Sequence, residues 1–175
     1  MRVWSIEEHN LVREYNFHKG TWHPLSKSKQ SLTAALDAAL DIQWLNDDTF
    51  LSSGSDHRIL IQSLHLPVPM RTLVGHKGEV NQIRLTRSRA LVVSASDDAK
   101  AIVWAVAPYR DLDLSNSGGK PPPTFNWSEK VEEDSGLYNS TQSCVAVLSG
   151  HDQPISYVAW APSRGKGHEQ TVIAT

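Results

Sequence analysis

Residues 75–104 read GHKGEVNQIRLTRSRALVVSASDDAKAIVW, and this stretch decides the fold. It opens with a Gly-His pair and closes with an apolar segment that ends in a tryptophan. Between them lie an alternating segment, 80–85, and a second apolar segment that runs into the turn residues Asp97-Asp98. Short segments rich in β-branched residues and bounded by turn residues predict β-strands joined by tight turns.

The same pattern recurs along the chain. Residues 50–56 (FLSSGSD) align with 92–98 (VVSASDD) at an offset of 42 residues, and residues 71–85 align with 146–160 at an offset of 75. A propeller blade of four strands repeats about every 40–45 residues, so the longer offset implies one blade with an insertion. We therefore predict an all-β, incomplete β-propeller over residues 1–175, with about two complete and two partial four-stranded blades.

Composition and net charge limit the kinds of molecule that we expect the protein to bind. The 175 residues are 39% hydrophobic, which is sufficient for a buried core, and the formal net charge is −2. This balance gives no basic surface for nucleic acid or an anionic membrane, and we expect neither as a partner. Arg84, Arg87, Arg89 and Lys100 are interpreted as a solvated face. The single cysteine, Cys144, excludes an internal disulfide framework and a multi-cysteine zinc site.

Four polar residues in the deciding stretch recur at fixed spacing. Buried imidazole, hydroxyl, carboxylate and indole groups need hydrogen-bond partners, and linked in a chain they satisfy one another. We predict that they form a structural tetrad, with partial tetrads in the units before and after. The complete tetrad is His76, Ser94, Asp98 and Trp104; the partial sets are His18, Ser52 and Asp56, with Gln62 at the Trp position, and His151 in the last unit.

A catalytic interpretation of the same residues is weaker. His76, Ser94 and Asp98 are the residue types of a nucleophilic triad, but the structural interpretation also explains Trp104 and the repeated spacing. We therefore predict no catalytic residue; a hydrolase activity abolished by Ser94→Ala would revive that alternative. No cofactor or metal site is expected, because the eight histidines are scattered and Gly118-Gly119-Lys120 lacks the upstream glycine of a phosphate loop.

Two insertions interrupt the repeat. One spans residues 19–36, and a longer one, 107–143, contains three consecutive prolines and an acidic run. The longer one has a composition that cannot build a core, and we expect it to be disordered. Residues 2–5 match the third strand of an earlier blade, so the chain begins and ends inside blades. This predicts a piece of a larger ring that is marginally stable alone and prone to associate.

The Gly-His opening and the Asp-to-Trp closing resemble the WD-repeat family, in which such residues form a structural hydrogen-bond tetrad. Within that family the chain resembles the transducin-beta-like corepressor subunits of histone deacetylase complexes. The segments that carry this resemblance are residues 39–44, 46–50, 70–73, 75–76, 79–83, 94–98 and 155–157.

The resemblance implies a non-catalytic scaffold for protein–protein interactions, acting as a transcriptional corepressor subunit in the nucleus. The implied partners are corepressor and deacetylase subunits, with histone tails as a further candidate. The alternative is a WD-repeat adaptor in another process, such as ubiquitin-ligase substrate recognition or RNA processing, with the cytoplasm as the alternative location.

Overall fold

The computed structural model describes residues 1–18, 38–106, 143–162 and 172–175. These ranges contain strands and turns, and none of them holds a helix long and apolar enough to cross a bilayer. The strands are β1 (Arg2–Ser5), β2 (Asn10–Glu14), β3 (Ala39–Trp44), β4 (Thr49–Gly54), β5 (Arg58–Ser63), β6 (Arg71–Val74), β7 (Val80–Leu85), β8 (Leu91–Ser96), β9 (Lys100–Ala105), β10 (Cys144–Ser149), β11 (Ala159–Trp160) and β12 (Ile173–Ala174). The expected insertion at 19–36 lies outside the described residues, as does 107–143 apart from its last residue.

Eight of these strands form two antiparallel four-stranded sheets. Blade 1 has the order β3-β4-β5-β6, and blade 2 has the order β7-β8-β9-β10. Equivalent residues pair alike in the two blades: Ile42 lies opposite Ser52, and Ile83 lies opposite Ser94. Each strand follows its neighbour along the chain, because tight turns favour antiparallel pairing of consecutive strands. The prediction of an all-β fold with two complete blades is confirmed.

The other four strands form two separate pairs at the ends of the described chain. β1 pairs with β2 before blade 1, and β11 pairs with β12 after blade 2. We call these the leading pair and the trailing pair. They correspond to the two partial blades that the sequence predicts, and the ring is not closed in the part of the chain that the structure describes.

The core lies between the faces of consecutive blades. Apolar residues from blade 1, including Leu51 and Ile61, pack against Ile83, Val92 and Trp104 of blade 2. A second cluster joins blade 2 to the trailing pair through Val93, Val103, Ile155 and Val158. Because both faces of a middle blade are covered, its central strands read as continuous apolar runs.

Two matched hydrogen bonds join the inner strands of consecutive blades. Asp41 Oδ2 on β3 accepts the Ile83 N–H at 3.0 Å, and Gln82 Oε1 on β7 accepts the Val158 N–H at 2.8 Å. Asp41 also pairs with Arg84 at 2.6 Å. In both blades the accepting side chain directly precedes the isoleucine of the inner strand, Ile42 or Ile83, and holds the backbone of the unit that follows.

Two of the four residues interpreted as a solvated basic face, Arg84 and Arg89, differ from that expectation. Arg84 binds Asp41 of blade 1, and Arg89 donates to the Leu45 carbonyl of blade 1 at 3.0 Å. Both cations therefore hold two blades together, which the sequence did not indicate, because their partners come from another repeat.

The turns lie at two opposite edges of the sheets. The upper edge carries the β4–β5 turn, the β8–β9 turn and the β6–β7 connection, and the lower edge carries the β3–β4 and β7–β8 turns. Within the upper turns His57 and Ala99 occupy the same position with φ of 67° and 60°. The chain leaves β2 toward the upper edge and leaves β9 toward the lower edge, so the two long connections start from opposite edges.

Candidate functional site

Blade 2 contains a buried chain of hydrogen bonds across three of its elements. His76 precedes β7, Ser94 lies in β8 and Trp104 lies in β9. The His76 Nε2 atom is 2.7 Å from Ser94 Oγ, and the Trp104 indole N–H donates to the same oxygen at 3.0 Å. The His76 Nδ1 atom is 3.0 Å from Asp98 Oδ2 in the β8–β9 turn. All four predicted residues of this set therefore lie in one network.

The network assigns the protons on His76. Asp98 is a carboxylate that can only accept, so the Nδ1–H of His76 donates to it. The Nε2 atom then accepts the hydroxyl proton of Ser94, which also receives the Trp104 indole N–H. Burial lowers the pKa of His76, and the opposing effect of Asp98 does not reverse this direction. The imidazole is therefore neutral near pH 7, as this pattern of bonds requires.

Asp98 is held in its ionised form by several donors. Burial alone would raise the pKa of its carboxyl group, but the backbone N–H of Lys77, His76 and the backbone N–H of Lys100 together bring the pKa below its ordinary value. The Lys77 N–H donates to Asp98 at 2.8 Å and the Lys100 N–H at 3.1 Å. Asp98 therefore joins the β6–β7 connection to the β8–β9 turn at the upper edge.

Blade 1 contains the equivalent network with one different member. His18 Nε2 lies 2.8 Å from Ser52 Oγ, and His18 Nδ1 lies 2.8 Å from Asp56 Oδ1. Gln62 stands at the Trp position and donates its amide N–H to Ser52 Oγ at 2.6 Å. The predicted partial tetrad is thus brought together, with an amide in place of the indole.

Several buried polar atoms of blade 1 lack a hydrogen-bond partner in the described part of the chain, and one of them belongs to the Gln that replaces the Trp. Gln62 Oε1 and Asp56 Oδ2 are buried and have no hydrogen-bond partner among the described residues, and the same holds for Thr49 Oγ1 and Ser53 Oγ on the opposite face of β4. An indole has no acceptor oxygen, so Trp104 creates no such deficit in blade 2. A buried polar atom without a partner lowers stability.

A second difference accompanies the Trp-to-Gln exchange. A Cβ atom added at Gly75 would lie 2.9 Å from Trp104 Cη2, so the indole ring occupies the space of a side chain there. The residue before the histidine in blade 1 is Phe17, which is half-buried. Gln62 has no ring, so it does not restrict position 17 in the same way. In blade 2 the Trp104 ring therefore favours a glycine before the histidine.

The last predicted residue, His151, has a partner that the sequence did not reveal. His151 Nε2 lies 2.6 Å from Thr175 Oγ1. In the trailing pair Ala159 lies opposite Ala174, so one step along the register Thr175 stands opposite Val158. Ser94 stands opposite Ile83 in the same way in blade 2. Thr175 is thus the hydroxyl position of the third unit, which its distance from His151 in the sequence concealed.

The inter-blade acceptors Asp41 and Gln82 were also missed. A signal was available, because both residues directly precede an isoleucine at matched places in the repeat.

The structure also bears on the alternative in which Ser94 is a catalytic nucleophile. Ser94 is fully buried, and its oxygen already receives the Trp104 N–H. A substrate carbonyl has no path to this hydroxyl in the described structure.

Comparison with known families matches residues 67–105 to the WD domain, G-beta repeat. The matched range contains all four residues of the blade 2 network, together with β6 and the first three strands of blade 2. Similar curated proteins include the WD40 repeat-containing protein HOS15 of Arabidopsis thaliana, 25% identical over 153 residues, which is 77% of this chain and 25% of that protein.

Two further relatives are similar over shorter ranges. The SIR4-interacting protein SIF2 of Saccharomyces cerevisiae is 22% identical over 102 residues, 58% of this chain and 19% of that protein. The human F-box-like/WD repeat-containing protein TBL1X is 29% identical over 116 residues, 52% of this chain and 20% of that protein. The chain spans about a quarter or less of the length of these relatives.

Proposed function

We propose that this chain, a WD-repeat protein, acts as a non-catalytic scaffold that binds other proteins, as a subunit of a corepressor–deacetylase complex in the nucleus. The observation that carries the scaffold role is the buried network of His76, Ser94, Asp98 and Trp104. Its polar groups bind one another and fix the strands, so they stabilise a rigid sheet instead of facing a substrate.

A rigid sheet makes its turns available for binding. At the upper edge the Asp98 carboxylate fixes both Lys77 and the β8–β9 turn through backbone N–H groups. Loops that are held in one conformation bind with a smaller loss of conformational entropy. We therefore assign partner binding to the upper edge, where neighbouring blades present equivalent turns side by side.

The corepressor role rests on similarity. The segments 39–44, 46–50, 70–73, 75–76, 79–83, 94–98 and 155–157 resemble the transducin-beta-like corepressor subunits. F-box-like/WD repeat-containing and SIR4-interacting proteins are among the relatives that match the chain. Similar blades occur in proteins with different roles, so the fold supports the scaffold and the similarity supports the complex. The proposed partners are deacetylase and corepressor subunits, with histone tails as peptide ligands.

Affinity purification tests the proposal. The tagged 175-residue chain is expressed in a nucleated cell, its nuclear and cytosolic fractions are separated, and captured proteins are assayed for deacetylation of an acetylated histone H4 peptide. We expect nuclear enrichment and captured deacetylase activity. Capture of ubiquitin-ligase or RNA-processing subunits, without deacetylase activity, would retain the scaffold role and reject the corepressor complex.

A pair of charge-reversal variants locates the binding edge. Lys77→Glu changes an exposed side chain at the upper edge and keeps the backbone N–H that Asp98 accepts. Asp47→Lys changes an exposed side chain at the lower edge. If the upper edge binds the complex, Lys77→Glu reduces captured deacetylase activity about tenfold, whereas Asp47→Lys leaves it unchanged. The reverse pattern would assign binding to the lower edge.

A further inference from the structure

The β7–β8 turn at the lower edge of blade 2 presents a serine hydroxyl to solvent. Ser88 lies at the tip of this turn and is exposed, whereas Thr86, which begins the turn, is 2% exposed. The Ser88 Oγ atom lies 3.1 Å from Thr86 Oγ1 and accepts the Ala90 N–H at 3.2 Å. Ser88 is therefore the hydroxyl of this turn that an enzyme in solution can reach.

Two arginines flank this serine in the sequence. Arg87 precedes Ser88, Arg89 follows it, and both arginines are exposed. The exposed Ser156 of the third unit, by contrast, has no charged neighbour in the sequence. A protein kinase whose substrate cleft is lined by carboxylates is attracted to a positively charged segment, because opposite charges increase the rate of encounter. The charge of the turn therefore favours Ser88 as the acceptor of a phosphoryl group.

One of these arginines also joins blade 2 to blade 1. The Arg89 guanidinium donates a hydrogen bond to the Leu45 carbonyl at 3.0 Å. Leu45 ends just before the acidic residues Asp47 and Asp48 of the β3–β4 turn. The β7–β8 turn thus places the Ser88 hydroxyl beside a cation that links two sheets and near an acidic turn of the neighbouring blade.

From these observations we propose that Ser88 is a phosphorylation site for a protein kinase that recognises arginine beside the acceptor residue, with ATP as the phosphoryl donor. The Ser88 Oγ atom attacks the γ-phosphorus of ATP, and the bond from that phosphorus to the β–γ bridging oxygen breaks, so ADP leaves. The hydroxyl proton passes to a base of the kinase. The product is a phosphate ester at a surface turn between two blades.

Phosphorylation changes the charge beside Arg89. A phosphoserine carries a charge of about −1.5 to −2 near pH 7 and has three strong acceptor oxygens, for which a guanidinium is a preferred partner. Arg89 therefore leaves the Leu45 carbonyl and pairs with the adjacent phosphate, while the carboxylates of Asp47 and Asp48 repel that phosphate. Both effects weaken the connection between the two blades at the lower edge.

The folded chain loses more from this exchange than it gains. Ser88 and Arg89 are neighbours in the sequence, so the phosphate also pairs with Arg89 in the unfolded chain, and the pair adds little to the free energy of unfolding. The hydrogen bond from Arg89 to Leu45 exists only in the folded chain, because it joins two blades. Phosphorylation of Ser88 therefore lowers the stability of the folded chain.

Labelling of the 175-residue chain tests the site. The purified chain is incubated with ATP and with nuclear and cytosolic extracts of a nucleated cell, and its phosphorylated residues are mapped by mass spectrometry. We expect phosphate on Ser88. Arg87→Gln removes one charge and keeps the Arg89 bond to Leu45, so it should reduce labelling of Ser88 about tenfold, whereas Arg87→Lys and Ser156→Ala should retain most of it. A chain without phosphate on Ser88, or equal labelling of Ser88 in the Arg87→Gln variant, overturns the proposal.

A chain with phosphoserine incorporated at position 88 during translation tests the consequence. Thermal unfolding is followed by circular dichroism, and we expect the phosphoserine to lower the melting temperature by about 2–4 °C, as the loss of one hydrogen bond does in a chain of this length. In an Arg89→Gln background, where the bond to Leu45 is already lost, the same phosphoserine should lower it by less than about half as much. An unchanged or higher melting temperature, or an equal decrease in both backgrounds, contradicts the proposed role of Arg89.

Discussion

Blade 2 joins its strands through His76, Ser94 and Trp104, whereas blade 1 joins them through His18, Ser52 and Gln62. The hydroxyl is the common centre in both blades, and it receives one N–H from the third strand in each. The two blades differ in the side chain that carries this N–H group. It is the large, apolar indole of Trp104 in blade 2 and the shorter, polar amide of Gln62 in blade 1.

The comparison separates two roles that Trp104 combines. Its indole N–H satisfies the hydroxyl, and its ring fills the space between blades and joins the apolar core. Gln62 keeps the first role and gives up the second, and a half-buried Phe17 instead of a glycine precedes the histidine of blade 1. The hydrogen bond can therefore be formed by different side chains, whereas only the indole also fills space between the blades.

The largest effect is expected from truncating the ring. Trp104→Ala leaves a cavity in the core and removes the donor to Ser94, so it should lower the free energy of unfolding by about 3–5 kcal/mol. Gln62→Ala removes a smaller side chain whose Oε1 is already unpaired, and should cost about 1–2 kcal/mol. Urea unfolding of both variants followed by circular dichroism measures the difference. Equal losses would show that the ring adds nothing beyond its hydrogen bond.

Exchanging the donor tests the coupling between positions 17 and 62. By analogy with Gly75 and Trp104, Gln62→Trp alone brings a ring toward the side chain at position 17 and should destabilise the chain by about 1–3 kcal/mol through overpacking. Phe17→Gly with Gln62→Trp recreates the arrangement of blade 2 and should recover most of that loss. A double-mutant cycle measures the interaction free energy between the two positions. If the effects of the two substitutions add to within about 0.5 kcal/mol, positions 17 and 62 are not coupled.

The hydrogen bond between blades gives a smaller effect. Asp41→Ala removes the acceptor of the Ile83 N–H and the ion pair with Arg84, and should cost about 1–2 kcal/mol in unfolding experiments. Asp41→Asn keeps an acceptor oxygen, as Gln82 does in the next blade, and should cost less. Asp47→Ala, an exposed carboxylate on the adjacent turn, is the control and should be neutral. Equal losses for the Ala and Asn variants at position 41 would assign the effect to the charge alone.

The smallest effect concerns pH. The folded-state pKa of His76 lies below its ordinary value of 6.5 because of burial. The unfolded chain therefore binds more protons as the pH falls below about 6.5, and the folded state loses stability over the range down to the lowered pKa. His76→Gln cannot titrate, so its free energy of unfolding should change less with pH than that of the unaltered chain between pH 7 and 5. Parallel pH curves for the two proteins would contradict this assignment.

Much of the fold followed from short-range patterns. The spacing from residues 50–56 to 92–98 and the alternation around Ile83 predicted antiparallel strands, the period of a blade and two complete sheets. These signals are local, because the side-chain period of a strand and the preferences of tight turns act over a few residues. The residue types His, Ser, Asp and Trp at fixed spacing also indicated which side chains the structure would bring together.

The contacts between repeats could not be predicted from such local patterns. Asp41 with Arg84, Gln82 with the Val158 N–H, and His151 with Thr175 join residues whose separation in the chain differs at each occurrence. Insertions of different length change that separation without changing the register of the strands. A fixed-spacing search therefore finds the contacts within a blade, whereas the contacts between blades and the partner of His151 are seen only in the tertiary structure.

The sequence by itself determined the strands, the blade period and the polar residues that the strands would bury, because each depends on neighbours a few positions away. Only the tertiary structure decided which faces are covered and which are left open: Trp104 in the third strand of blade 2 is buried, whereas Trp4, in a segment that matches the third strand of an earlier blade, is exposed. The physical reason is that burial requires a second sheet in contact with the first, and no local pattern specifies whether that sheet is present.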